Sequence, residues 1–253
     1  MQRIEVLGCP MDIASMGETV EVIRSAVASG HFTQHVVVNV AKLVHMRSDA
    51  QLNESVHSCD IINIDGMGVV LGARFLGYPV PERVAGVDLF YELLAMSAAN
   101  GFSVYLLGAK DDVVAATAEK VQALYPGLKI AGYHSGYFWD DEAAMVEKIR
   151  ASGAQLLFVA ITSPKKENFI NHWRNQLGVA FVMGVGGTFD VVAGRVKRAP
   201  KWVQNHGLEW LYRVIQEPRR MWKRYLTTNS QFAWLLLKEK IAQLLGKHRR
   251  IDL

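Results

Sequence analysis

The chain has 253 residues, half of them hydrophobic, only two cysteines and a formal net charge of +4. That composition excludes an intrinsically disordered chain and a disulfide framework, and suits one large domain or a core with an appendage. The charge is unevenly placed, +10 over residues 194–253 against −6 over residues 1–193, which implies an anionic partner for the C-terminal part: phospholipid, nucleic acid or a phosphorylated substrate.

The elements follow one another in a regular order. Val36-Val37-Val38-Asn39-Val40 is an apolar, β-branched run and predicts a buried strand. Residues 49–57 have helical character. Residues 60–64 predict a second strand that ends at Asp65-Gly66, where a turn opens a helix over 67–76. Residues 87–100 read as a helix, and 102–107 as a strand running into Gly108-Ala109-Lys110. The helix over 111–124 has an acidic first turn, which suits the positive end of its dipole. A strand over 128–133, a helix over 140–151 and a strand over 155–161 continue the alternation. Ser163-Pro164 then starts a helix, with Ser163 as N-cap and Pro164 at the first helical position. Residues 179–184 form the last strand. Repeated strand–helix units predict an α/β fold, a mainly parallel sheet with helices on both faces. Ligands of such sheets sit beyond the carboxyl ends of the strands, where Asn39, Asp65, Gly108, Ser163 and Gly186 fall. After Pro200, Leu208, Leu211, Ile215, Trp222 and Leu226 recur at helical spacing. Pro218 interrupts them, which predicts two short helices, with a final helix over 229–245. The N-terminus lacks a long apolar run, and residues 232–237 are far short of the roughly 20 residues of a membrane span. The expectation is a chain that neither crosses a bilayer nor is exported.

Several residues carry chemistry with an alternative beside it. Asp65 can take a proton from an attacking hydroxyl or cap the following helix; spacing alone favours the cap. Arg83, in Glu82-Arg83-Val84-Ala85-Gly86-Val87-Asp88, can clamp a phosphate or carboxylate or pair with Glu82 or Asp88. Lys165 and Lys166 stand in the first turn of a helix beside Glu167, where the dipole disfavours cations unless an anion binds. Ser163-x-x-Lys166 fits a serine-nucleophile motif, but Lys-Thr-Gly and Ser-Asp-Asn are missing. Gly184-x-Gly186-Gly187 lacks the glycine that a dinucleotide fingerprint needs at position 189, which is Phe189. Those glycines make a tight turn or let backbone approach a nucleotide. The chain has no Asp-x-Asp, so Arg213, Arg219, Arg220 and Arg224 either offset leaving-group charge or face lipid. No metal-ligand spacing and no nucleic-acid-binding motif is present.

With these residues assembled, the chain resembles the WecG/TagA/CpsF family of bacterial glycosyltransferases over about residues 36–226. The resemblance rests on the stretch from Gly184 to Arg220, on Asp65-Gly66-x-Gly68-Val69-Val70, on Glu82-Arg83-Val84-x-Gly86-x-Asp88 and on Pro164-Lys165-x-Glu167. It implies a Rossmann-like catalytic core over 1–194 and a basic, membrane-associating helical appendage over 195–253. It also implies an inverting transferase that needs no metal or other cofactor. Such an enzyme moves a hexose-type sugar (N-acetylmannosamine, its uronic acid or glucose class) from a UDP-sugar to a polyprenyl-diphosphate-linked saccharide. The work belongs to cell-surface polysaccharide synthesis at the cytoplasmic membrane face. The resemblance makes Asp65 the general base and gives Arg213, Arg220 and Arg224 the closing of the site. Asn39, Arg83, Gly108, Lys165, Lys166, Glu167, Gly186, Gly187 and Asp190 complete the expected substrate-binding set. Expected partners are the UDP-sugar, the lipid-linked acceptor, an anionic membrane surface and a second copy of the chain, but no nucleic acid. Two departures leave the donor open: the family's Thr-x-Asn is Val37-Val38-Asn39, and its Pro-Lys-Gln-Glu is Pro164-Lys165-Lys166-Glu167. The added cation at Lys166 suits an acidic sugar or a diphosphate. The competing readings are a nucleotide-dependent Rossmann enzyme of another class and a non-catalytic membrane-associated assembly subunit.

Overall fold

Strands that are buried along their whole length are covered on both faces, and three short runs set this architecture. Ile61–Ile64, Leu156–Ala160 and Phe181–Gly184 are buried at every residue, as parallel strands between helical layers are. The computed structural model describes residues 1–246, without the side chains of Asn205 and Arg220.

In chain order the strands are β1 (Gln2–Val6), β2 (Cys9–Ile13), β3 (Thr33–Val38), β4 (Ile61–Ile64), β5 (Ser103–Gly108), β6 (Lys129–His134), β7 (Leu156–Ala160) and β8 (Phe181–Gly184). The helices are α1 (Met16–Ser29), α2 (Val40–Met46), α3 (Ala50–His57), α4 (Met67–Phe75), α5 (Gly86–Asn100) and α6 (Asp111–Leu124). They continue with α7 (Glu142–Ala151), α8 (Lys165–Trp173), α9 (Thr188–Val192), α10 (Lys201–Asn205), α11 (Glu209–Gln216) and α12 (Pro218–Leu244). The sheet order is β1-β2-β4-β3-β8-β7-β5-β6. All neighbours are parallel except β1 and β2, which form an antiparallel hairpin. Its turn, Leu7-Gly8, has positive φ at both residues, the twist a two-residue hairpin turn requires. Alternate residues of β7 face opposite layers: Leu156 and Phe158 pack with α5 and α6, Leu157 and Val159 with α7 and α8.

The α/β expectation is met, with three local corrections. The strand predicted over 36–40 stops at Val38, because Asn39 turns to cap α2 by accepting the Lys42 N–H at 3.0 Å. Ser163 does not cap α8. The Ser163–Pro164 peptide is cis, Pro164 is the N-cap, and the Thr162 carbonyl accepts the Lys166 N–H. Pro218 separates α11 from α12 as expected, but it is not followed by a short helix and a second one over 229–245. It opens the 27-residue α12, where its missing N–H costs no helical hydrogen bond.

The tail from α10 to α12 lies on the core. Phe232 is buried among Leu43, Val69, Val70 and Ala73, and Glu239 accepts the Leu7 backbone N–H at 3.1 Å. Gly72 allows α12 to approach α4: a Cβ there would lie 2.8 Å from Phe232 Cζ and 2.9 Å from Leu236 Cδ1. Among the described residues no helix is long and apolar enough to cross a membrane. Gly72→Val is expected to cost about 1–3 kcal/mol through overpacking, read by urea unfolding, and to expose α12 to trypsin. An unchanged cleavage pattern would show that this contact does not hold the tail.

Candidate active site

Asp65 follows the last residue of β4, and its backbone N–H donates to Val38 O at 2.9 Å. Gly66, at φ +95°, turns the chain into α4 and caps it without a side-chain bond. The capping role that spacing favours for Asp65 is therefore not the one it plays. Its half-buried carboxylate instead accepts the N–H of Gly86, the first residue of α5. Burial is the main influence on this carboxyl and raises its pKa, and Glu209 raises it further. Arg83, the Gly86 bond and Arg213 pull the other way, and the net shift is upward. A carboxylate held above its ordinary range is a better proton acceptor near neutral pH.

Arg83 is placed by the segment ahead of α5, where the Val84 N–H extends the β4 ladder by donating to Ile64 O at 3.0 Å. Neither of its expected partners takes it. Glu82 accepts the Met16 N–H at 2.6 Å, and Asp88 accepts both terminal nitrogens of Arg198. Arg83 donates to Glu209 at 2.9 Å, both side chains being largely buried. Glu209 opens α11, so this bond joins tail to core. Arg213 lies 3.6 Å and Arg198 Nε 3.9 Å from the other oxygen of Glu209. Three guanidinium groups thus converge on one carboxylate beside Asp65, an arrangement able to stabilise negative charge that develops there.

Behind Asn39 lies a second charged group. Lys42 and Lys166 both contact Glu167, and all three side chains are buried. Burial alone would raise the Glu167 pKa, but the two ammonium groups hold it down at about 2. Lys165 turns away and stands 5.0 Å above the Trp139 ring. The two lysines of the first turn therefore do not act together.

The glycines divide by the space around them. Gly108 has φ +128°, and a Cβ there would run into Ala160 O. It lies where the connection after β5 leads outward to β6 and that after β7 leads back to β8, the kind of divergence where α/β sheets bind ligands. Gly186 and Gly187 would meet no atom within 4 Å with a Cβ added, so backbone there is open to a ligand. Asp190 closes the turn through its carbonyl, which accepts the N–H groups of Arg195 and Val196. Arg224 is exposed on α12, and the side chain of Arg220 lies outside the described residues. Among the described tail arginines, Arg198 and Arg213 reach the Asp65 cluster. The sequence does not single out Arg198, Glu209 or Lys42, and offers Asp88 only as a partner of Arg83 and a motif residue. Their partners lie 110 to 126 residues away in the chain, and nothing local signals such pairs. Among the described residues no three His, Cys, Asp or Glu side chains group to hold a metal.

The charges around Asp65 make its titration a reporter of the tail's position. Glu209→Gln is expected to lower the Asp65 pKa and Arg83→Met to raise it, each followed by carboxyl-carbon NMR. An Asp65 titration unmoved by both would break the link between the tail and Asp65.

The glycosyl transferase WecG/TagA/CpsF family matches residues 4–245 of this chain. The N-acetylglucosaminyldiphosphoundecaprenol N-acetyl-beta-D-mannosaminyltransferase of Bacillus subtilis is 39% identical over 183 residues, covering 72% of this chain and 70% of its own. The protein of the same name from Bacillus spizizenii matches with the same identity and coverage. The chain belongs to the WecG/TagA/CpsF family of glycosyl transferases.

Proposed function

We propose that the protein is an inverting transferase that moves a hexose-type sugar from a UDP-sugar to a hydroxyl of a polyprenyl-diphosphate-linked saccharide. The observation that carries this reading is Asp65: a carboxylate at a strand end, its pKa raised, with arginines of core and tail around it. The names of the Bacillus relatives supply the lipid-diphosphate acceptor. In the step, the acceptor hydroxyl gives its proton to Asp65 and its oxygen bonds to C1 of the sugar. The bond from C1 to the diphosphate oxygen breaks, and its electron pair leaves with UDP. Attack from the face opposite UDP inverts C1. Arg83, Arg198 and Arg213 stabilise the leaving diphosphate, a task that needs no metal in this reading. Asn39 positions the sugar, and the bare backbone at Gly108, Gly186 and Gly187 admits the nucleotide.

The division of labour follows the charge. Residues 1–194 hold the base and the donor pocket, and residues 195–253 lend Arg198 and Arg213 to the site and bring it to a membrane. Ile215, Trp222, Leu226, Trp234 and Leu244 are exposed on α11 and α12, interleaved with Arg219, Lys223 and Arg224. Such a surface suits an anionic lipid headgroup layer. The site then works at the cytoplasmic face of the membrane, on an acceptor whose lipid stays in the bilayer.

Asp65→Asn is expected to lower turnover about 10²–10⁴-fold on a polyprenyl-diphosphate-linked N-acetylglucosamine acceptor, with the fold retained. UDP release by the wild type is expected to survive EDTA. Near-normal turnover by the variant with its true substrates would sink the assignment of the base, and loss of activity in EDTA would sink the metal-free step.

A further inference from the structure

The outward face of α4 is apolar and uncovered, although this helix belongs to the core and begins directly after Asp65-Gly66. Leu71 is 58% and Phe75 51% exposed, and residues four apart on a helix share one face. The inward face is buried through Val69, Val70 and Ala73. A helix of this kind ordinarily shows polar residues to solvent; α4 shows leucine and phenylalanine. Beside it lies α12. A Cβ at Gly72 would meet Phe232 and Leu236, and the Lys240 ammonium stands 5.6 Å over the Phe75 ring. These contacts advance along both helices together, so α4 and α12 run side by side in the same direction. Leu237 and Leu244 lie three residues before and four after Lys240, on its face of α12, and both are exposed. Leu71 and Phe75 of the core and Leu237 and Leu244 of the tail thus form one apolar surface.

The charge around this surface has one sign. The sequence of α12 holds six Lys or Arg and one carboxylate, Glu239, which turns to the Leu7 N–H. Arg74 of α4 gives its hydrogen bonds to the carbonyls of Val80 and Pro81, which leaves its charge unmatched. Among the described residues no carboxylate lies within 4 Å of Arg74, Lys238 or Lys240. Lys238 stands over Trp234 at 5.1 Å, as Lys240 does over Phe75. Apolar stems along apolar rings with the ammonium at the edge are the arrangement of side chains that reach from an apolar layer to a charged one. A second copy of the chain fits this face poorly, because a self-contact sets the cations of one α12 against those of the other. An anionic bilayer fits both halves: the apolar side chains enter the acyl boundary and the cations meet phosphate.

We propose that α4 docks on anionic lipid together with α12, with Leu71 and Phe75 entering the bilayer interface, so that the membrane holds the core itself and not only its tail. The proposal extends the reading of the tail as a membrane surface and rests on it. Its consequence is the height of the site. With α4 flat on the headgroups, Asp65 at its N-terminal end stands within one helix diameter, about 10–12 Å, of the lipid surface. A saccharide on a diphosphate spans that gap while its lipid stays in the bilayer.

The test attaches an environment-sensitive dye to single cysteines introduced into the intact chain. Cys9 and Cys59 are buried, and burial pushes both thiols up to about 12, so the dye goes to the introduced thiol. On vesicles containing phosphatidylglycerol, the dye at Leu71→Cys on α4 and at Leu226→Cys on α12 is expected to shift to the emission of an apolar medium. At Lys148→Cys on α7, which packs in a different cluster, it is expected to stay in water. Leu71→Asn combined with Phe75→Asn is expected to weaken vesicle partition about tenfold or more, from the apolar burial lost, with turnover on a water-soluble diphosphate-linked acceptor unchanged. A dye at Leu71→Cys that stays in water while that at Leu226→Cys inserts overturns the proposal and leaves the tail reading standing. Both dyes in water overturn the two together. A shift at position 71 that appears without vesicles as protein concentration rises assigns the face to a second copy and overturns the proposal, as does a double variant that partitions like the wild type. Lack of turnover in the wild type counts against the transferase reading alone.

Discussion

The carboxylate of Glu209 is where tail and core become one site. It stands on the first turn of α11 and accepts Arg83 from the segment that follows the sheet's β4–α4 unit, with Arg198 and Arg213 of the tail close by. Largely buried ion pairs add little net stability, because desolvation offsets their attraction, but breaking one is expensive. The pairing therefore selects one position for the tail rather than adding to the stability of the fold. It also sets the field at Asp65, where Glu209 raises the pKa and Arg83 lowers it. Burial has the larger effect, so Asp65 keeps a raised pKa even with three cations close by.

Backbone space complements this charge. Gly72 lets α12 close on α4, and Gly207 lets the start of the tail sit on Met67, where a Cβ would lie 2.8 Å from Met67 Cβ. Gly184 gives passage to the stem of Lys166, and Gly108 leaves the β5–β7 junction bare. The glycine turn after β8 and Gly108 after β5 lie on the opposite side of β3 from Asp65. From β4 to β5 is four strand spacings, roughly 19 Å at about 4.8 Å each. An extended ligand suits that span better than a compact one.

Much of the fold was legible from residue patterns alone. The helix over 111–124 has the bounds its acidic start and apolar period predict, and the buried runs of β4, β7 and β8 stand where their composition placed them. The β1–β2 hairpin was not legible, because its turn is Leu7-Gly8 rather than an Asn-Gly or Asp-Gly pair. The full length of α12 is not legible because Thr227-Thr228-Asn229, weak helix formers by propensity, lie inside it without breaking it. The site was legible only in part. Asp65, Arg83 and Arg213 come together, but spacing alone favoured a cap for Asp65, and its role as base came from family resemblance. Spacing reads Lys166 as one of two cations at a helix start, whereas it shares Glu167 with Lys42, 125 residues before that carboxylate in the chain. Contacts between residues more than a hundred positions apart leave no local trace.

The central claim is that Asp65 is the base and that the tail tunes it through Glu209. The most direct measurement is the pH dependence of single-turnover sugar transfer to a lipid-diphosphate acceptor, for the wild type and Glu209→Gln. The account predicts a rate that rises through one ionisation above the ordinary aspartate value of about 4, and an acidic limb that moves to lower pH in the variant. A limb at the same pH in both proteins, or none in the wild type, would contradict it.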